Sequence, residues 1–287
     1  MKILVCLRGG LQLKAIVNDM ILNLHAKPDT TSELIDEVLY GMTVNILEFC
    51  DERWVRIKTN YHYEGYCLKE KLIIDNVKAS QWQEEANNVI IQNFADILTG
   101  PKIQCSKILT LVRGSNVTLV EDNELGKEWT KVKLANGEIG FTRSFWVRKR
   151  IVESVSEEEF RENVVQTALS YITTPYRWGG KSPLGIDCSG LCSMAYMLNG
   201  VLIYRDAKIV EGFPIKEIPF EQIQKGDLLY FPGHIAMYIG DGLYVHSSLG
   251  GNEVGINSLN EKHPHFRKDL ATTITAVGSL FASELVH

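Results

Sequence analysis

The sequence predicts an α+β chain in which two small β-barrels precede a mixed domain of helices and sheet. Three observations predict it. The N-terminal half repeats itself in short strand-like runs, a helix-start signal changes the texture of the chain near residue 152, and an Asp241-Gly242 pair joins two β-rich runs further on. A length of 287 residues agrees with several domains, since one domain takes roughly 150 residues. The boundaries drawn from these signals give units of 1–78, 79–151 and 152–287.

Aligning Pro28 with Pro101, Gly41 with Gly114, Trp54 with Trp129 and Gly65 with Gly140 gives a period of about 75 residues with a two-residue insertion. Within the copies VNILEF, WVRIKT and YEGYCL answer to NVTLVE, WTKVKL and EIGFTR, short runs between polar turns that read as all-β. The alternation in WTKVKL sets Trp129, Val132 and Leu134 largely on one side, and Asn136-Gly137 favours a two-residue hairpin. Between the copies, SQWQEEANNVIIQNFADIL is compatible with a helix, with Trp82, Ala86, Val89 and Ile90 near helical spacing.

In the third unit Ser156 stands three residues before Glu159, a capping-box arrangement that starts a helix. Its apolar face takes Phe160, Val164, Ala168 and Leu169 or Ile172, and it should end before Pro175, because the residue ahead of a proline disfavours helical backbone.

The composition is that of a globular chain, 45% hydrophobic and 23% charged. A net charge of −5 supplies no basic field for nucleic acid, so none is expected as a partner. MKILVCLRGG is too short an apolar run for a secretory signal, and no run approaches the roughly 20 residues of a membrane span, which predicts a cytoplasmic protein without membrane contact. The six cysteines, Cys6, Cys50, Cys67, Cys105, Cys188 and Cys192, are scattered rather than dense, and reduced thiols are expected. No metal or organic cofactor and no obligate protein partner is implied.

The chemistry concentrates in two stretches. PYRWGGKSPLGIDCSGLCSMAYMLNG joins a glycine-rich loop to an apolar helical run with Leu191, Cys192, Ala195, Tyr196 and Leu198, and Cys188 opens that helix. Free N–H groups and the positive end of the helix dipole favour a thiolate there, so the thiol pKa should fall. A cysteine opening a buried helix can equally be a packing residue. The second stretch, KGDLLYFPGHIAMYIGDGLYVHSS, reads as a hairpin with His234 and His246 twelve residues apart. An even separation lets both share one face, provided a bend in the strand preserves it. One imidazole can then take the thiol proton while the second orients the first. One thiolate and two imidazoles also admit zinc, although no second cysteine lies at CxxC spacing and no nearby acid announces itself as a base for bound water.

The repeats resemble bacterial SH3-like domains, and PYRWGG, DCSG and GHIAMYIGDGLYVHSS look like the signature blocks of the NlpC family, papain-like cysteine peptidases of peptidoglycan. The likeness covers roughly residues 153 to 287, and the paired SH3-like domains are similar to those of the subgroup that cleaves between γ-D-glutamate and a diamino acid. The resemblance implies two SH3-like barrels ahead of a papain-like catalytic domain, with a small peptidoglycan-derived peptide as substrate.

It also implies roles. Cys188 would be the nucleophile, His234 the base and His246 its orienting partner, with Tyr176 beside an oxyanion site shared with the Cys188 N–H. Asp187, Ser189 and Asp206 would grip the free N-terminal amine of the substrate, and Ala207 stands where a hydroxyl often follows the last of these acids. Tyr63 and Glu37 would close one end of the cleft from the first SH3-like domain, with Glu33, Tyr61 and Tyr66 as rivals. The function so implied is hydrolysis of the γ-D-glutamyl–diamino acid bond in peptides that begin with a free L-Ala, in cell-wall recycling. The alternatives are a catalytically silent binder of murein peptides and a papain-like amidase or acyltransferase.

Overall fold

The structure is a computed structural model that describes residues 13–122, 125–151 and 155–282. Cys6, the MKILVCLRGG segment and the boundary expected near residue 152 lie outside the described residues.

The first unit contributes β1 (Lys14–Val17), β2 (Ile21–His25), β3 (Leu34–Leu39), β4 (Thr43–Phe49), β5 (Trp54–Thr59), β6 (Glu64–Leu68) and β7 (Leu72–Ile74). After helix α1 (Asn76–Glu85) come β8 (Asn88–Ile90), β9 (Phe94–Leu98), β10 (Lys107–Val112), β11 (Asn116–Val120), β12 (Trp129–Lys133), β13 (Ile139–Arg143) and β14 (Val147–Lys149). The two sheets run β3-β2-β6-β5-β4-β1-β7 and β10-β9-β13-β12-β11-β8-β14, one order twice over. The sequence repeat therefore repeats a topology.

Neither sheet closes. Among the described residues β3 does not pair with β7, nor β10 with β14, and β2 meets β6 only at His25 and Tyr66. The barrels expected from sequence are open sheets, and in the first the free edge strand β3 faces the third unit, where Glu37 accepts the Lys181 N–H at 2.8 Å.

Tertiary pairing overrides three local readings. The helix after the first unit stops at Glu85, because Val89 and Ile90 are taken into β8 between β11 and β14. Trp129 faces away from buried Val132 and Leu134 and lies half-exposed against the Arg143 guanidinium, 4.8 Å from ring centre to Cζ. The Asn136-Gly137 turn spans three residues, bracketed by the Leu134 N–H to Glu138 carbonyl bond.

The third unit holds α2 (Glu157–Leu169), the small hairpin β15 (Lys181–Ser182) and β16 (Gly185–Ile186), α3 (Cys188–Leu198), β17 (Lys216–Ile218), β18 (Leu228–Phe231), β19 (His234–Gly240), β20 (Leu243–Ser248), β21 (Glu253–Ser258), α4 (Lys268–Ala271) and β22 (Ala276–Ser279). Ser156 caps α2 by accepting the Glu159 N–H, and Phe160, Val164 and Ala168 are buried as the periodicity requires. Ile172 lies beyond the helix end and is exposed. The helices α2 and α3 pack against an antiparallel sheet ordered β17-β22-β18-β19-β20-β21.

One apolar core joins the first and third units: Val17, Leu39 and Met42 belong to the same cluster as Val164, Ala168, Leu191 and Met194. The second unit adds Val112 to it and lays Arg113 over the Tyr171 ring at 4.6 Å. Helix α1 is tied to the first unit by Trp82, whose Nε1 donates to the Gly41 carbonyl at 2.8 Å. Among the described residues no helix is long and apolar enough to cross a membrane, and the five described cysteines are all free thiols.

Candidate active site

Cys188 is the first residue of α3, and its neighbours hold it there. Asp187 caps the helix, accepting the Gly190 N–H at 2.6 Å on Oδ1, while its Oδ2 accepts the Gly179 N–H at 2.9 Å. A short polar N-cap of this kind satisfies the orphan donors of the first turn. Backbone N–H groups of Ile235 and Ser189 hydrogen-bond the Cys188 sulfur, so β19 begins against the start of α3.

The two histidines meet because β19 is bulged. Gly240 pairs with Leu243 across the Asp241-Gly242 turn, but one residue further on the register slips, so that Tyr238 pairs with Tyr244 and Met237 with Val245. Continuing that register sets His246 across from Ala236, on the same face as His234. Without the bulge His246 would oppose Met237 and the imidazoles would lie on opposite faces.

The bulge delivers a directed hydrogen-bond chain. His234 Nε2 lies 2.8 Å from His246 Nδ1, and His246 Nε2 lies 2.8 Å from Asn257 Oδ1. Asn257 donates its Nδ2 to the His265 carbonyl at 3.0 Å, which aims its oxygen at His246. His246 therefore carries its proton on Nε2 and accepts on Nδ1, so His234 carries its proton on Nε2 and keeps a basic Nδ1. Both nitrogens of His246 are consumed in this chain, which leaves none for a metal ion and speaks against the zinc arrangement. The sequence missed Asn257, for which its place opposite Tyr244 in β20 offers no signal.

Burial sets the charge states. It pushes His234 down to about 4, with the His246 and Arg267 charges adding to it, and pushes His246 down as well against the Asn257 hydrogen bond. The Cys188 thiol is raised to about 11, by burial first and then by the Asp187 carboxylate, despite the backbone N–H groups that oppose them. This direction is opposite to the lowered thiol pKa expected from the helix start: desolvation and a neighbouring carboxylate outweigh the backbone N–H groups. The resting site is a thiol with neutral imidazoles. Burial, with Cys188 and Asp187 nearby, also raises Tyr176 to about 12, so its hydroxyl keeps its proton.

A cavity of ≈ 380 Å³ adjoins Cys188, lined among others by Tyr63, Tyr176, Asp187, Ser189 and Asp206. Its far wall belongs to the first unit. Tyr63 donates its hydroxyl to Asp206 Oδ1 at 2.9 Å, and Trp178 Nε1 donates to Glu33 Oε1 at 2.9 Å, two bonds that span the units. Glu37 is not among the lining residues. It is 1% exposed, bound to the Lys181 N–H and paired with Arg177, while Glu33, four residues earlier and just ahead of β3, lines the cavity. Sequence spacing did not separate these two acids, because Glu33 lies exposed ahead of β3 while Glu37 is buried within it by the third unit.

Asp187 differs from its expected part too. Its carboxylate is engaged by Arg205 on both oxygens, at 3.0 and 2.9 Å, so its charge is compensated within the protein. Ser189 donates to Asp187 at 3.2 Å and accepts from Arg205 at 2.7 Å. Among the cavity's acids, Asp206 and Glu33 are the ones with carboxylate oxygens turned to the cavity wall rather than to an arginine. Arg205, Lys181 and Asp36 were not recognised as site-supporting residues from the sequence. The signal available was LIDEVL, where two consecutive acids interrupt an apolar strand.

Comparisons with known proteins agree with this architecture. The chain matches the NlpC/P60 family over residues 173–272 and the bacterial SH3 domain over residues 22–72. It is 60% identical over 271 residues to "Dipeptidyl-peptidase 6" of Lysinibacillus sphaericus, covering 94% of this chain and 100% of that one. It is 25% identical over 250 residues to a "Gamma-D-glutamyl-L-lysine dipeptidyl-peptidase" of Bacillus cereus, covering 80% and 72%. The crystal structure of an NlpC/P60 family protein from Bacillus cereus superimposes with a TM-score of 0.74 at 19% identity, over 92% of this chain and 98% of that one, a likeness of fold. With an SH3-like N-terminal region, the matched peptidase domain and 60% identity over 94% of its length to a named peptidase, the chain belongs to the NlpC/P60 family and is a cysteine peptidase.

Proposed function

We propose that this peptidase hydrolyses the γ-D-glutamyl–diamino acid bond of small peptidoglycan-derived peptides that begin with a free L-Ala. The observation that carries the reading is the first unit's share of the cavity beside Cys188: Tyr63 and Glu33 line it, and Glu33 and Asp206 bring carboxylates to it. A cavity of that size with two such carboxylates suits a short peptide with a free ammonium group. The Bacillus cereus relative is named for an activity of the same class. In this reading the second unit is a further SH3-like domain, in keeping with its repeated strand order, and the domains divide near residues 78 and 151.

Cys188 attacks the γ-carbonyl carbon as its proton passes to His234 Nδ1, and His246 holds the ring through its Nδ1. The oxyanion is met by the Tyr176 hydroxyl and the Cys188 N–H. His234, now protonated and a strong acid by its depressed pKa, gives the proton to the leaving amine of the diamino acid. Water, deprotonated by His234, then releases L-Ala-γ-D-Glu and restores the thiol. Asp206 and Glu33, with Ser189, grip the substrate amine, and Asp187 supports Ser189 rather than binding directly. Intact wall, whose stem peptides carry a blocked amine, fits this cleft poorly. Recycled fragments in the cytoplasm are the substrates it fits.

The test is mass-spectrometric turnover of L-Ala-γ-D-Glu-diamino acid peptide, with and without an N-acetyl cap, by wild type and Cys188→Ala. Cleavage of the free peptide alone, lost in the variant, is expected. Equal cleavage of the capped peptide would remove the amine site, and activity in Cys188→Ala would remove the nucleophile.

A further inference from the structure

Asp36 lies in the first unit, yet its carboxylate is the hub of a fully buried network under the third. It accepts from Tyr61 Oη at 2.5 Å, Lys181 Nζ at 3.0 Å and Arg205 Nε at 2.5 Å. Arg205 is 1% exposed, and each of its N–H directions has an acceptor. Beyond Asp36, Nη1 reaches Asp187 Oδ1 and Ser189 Oγ, and Nη2 reaches Asp187 Oδ2 and, at 3.4 Å, the Gly180 carbonyl. Asp187 and Ser189 are the residues on either side of Cys188.

The network holds two carboxylates, one ammonium and one guanidinium, so its charges balance. Buried ion pairs of this kind are seldom needed for stability, since apolar side chains of similar volume serve as well. The units also have other ties: the shared apolar cluster, and the Arg113 contact with Tyr171. What an arginine adds is geometry, because its planar fork fixes a carboxylate in orientation as well as distance.

We propose that Asp36 and Arg205 are positioning residues, through which the first unit holds the turn bearing Cys188 in its attack geometry. The SH3-like unit then does more than line the cleft: it completes the support of the thiol. The proposal rests on Cys188 being the nucleophile.

The test uses Asp36→Asn and Arg205→Lys in the full chain, with kcat and KM on L-Ala-γ-D-Glu-L-Lys and the rate of Cys188 alkylation by iodoacetamide, followed by peptide mass spectrometry. A displaced nucleophile should cost about tenfold or more in kcat, with any rise in KM through Ser189 smaller than that loss, and the alkylation rate should fall in parallel. Because both residues act through one network, the double variant should lose little beyond the worse single one. Folded variants that keep wild-type kcat and alkylation, or that raise KM alone, would overturn the proposal and leave the pair as a tie between units. Should Arg205→Lys fail to fold, Tyr61→Phe, which removes one hydrogen bond from Asp36, carries the same test with a fall of about threefold expected. Turnover of the peptide that survives in Cys188→Ala overturns the nucleophile assignment itself. A reactive Cys188 that the variants leave unchanged overturns this proposal alone.

Discussion

At His234 the proton balance is set by loss of water. A histidine is neutral above its pKa, and burial brings that of His234 down to about 4, so the ring remains a free base well into the acid range. The acid limb of kcat/KM should therefore fall near pH 4 rather than near the ordinary value of about 6.5. Stability follows the same group with a definite sign. In the unfolded chain His234 binds its proton at about 6.5, so the unfolded state binds more protons below that pH. The contribution is complete above about 6.5 and is lost as pH falls through about 4, a change on the order of 3 kcal/mol to which His246 adds in the same direction. Urea unfolding across this window, with His234→Gln as the comparison, checks both the sign and the assignment.

At the scale of the element, the hairpin β19–β20 converts a spacing into a contact. The turn residues Asp241 and Gly242 both have positive φ, 54° and 72°, the geometry of a two-residue turn whose twist matches the strands it joins. A β-carbon at Gly242 would meet nothing within 4 Å, so Gly242→Ala adds only backbone strain. It should cost about 1–2 kcal/mol by denaturation. Because the bulge lies on the strand side of the turn, kcat should stay within about twofold, a change small beside the effect of losing a hydrogen bond to the base. A large loss of kcat would mean that the turn, rather than the bulge, governs the histidine register.

Across the whole molecule, the units are held by close approach. Gly41 has φ +74°, its N–H donates to the Val17 carbonyl at 2.9 Å, and an added β-carbon would stand 2.3 Å from the backbone oxygen of Asn116 in the second unit. Asn116 in turn donates its N–H to the Tyr40 carbonyl at 2.8 Å. Gly41→Ala must strain the backbone and force two rigid sheets apart, and a loss of about 3 kcal/mol or more is expected. Calorimetry should show the wild type unfolding in one transition, because its largest apolar cluster spans the first and third units. A stability loss no greater than that of Gly242→Ala would show that the units separate at little cost.

The sequence by itself determined the repeat, the capped helix α2, the placement of Cys188 at the start of α3 and the hairpin that carries both histidines. Each of these rests on local rules: periodicity, caps and turn residues act over a few positions and can be read from them. Only the tertiary structure decided which acid lines the cleft, whether the sheets close, and where the Asp187 charge goes. Glu33 and Glu37 look alike in the chain, but Glu37 is buried in β3 under the third unit while Glu33 stays exposed ahead of it, and Arg205 meets Asp36 across 169 positions. The thiol pKa belongs to the same class, since burial depends on what the rest of the chain brings near. The histidine face lies between the two: even spacing permitted a shared face, and a one-residue bulge, fixed by how β19 packs between β18 and β20, supplied it.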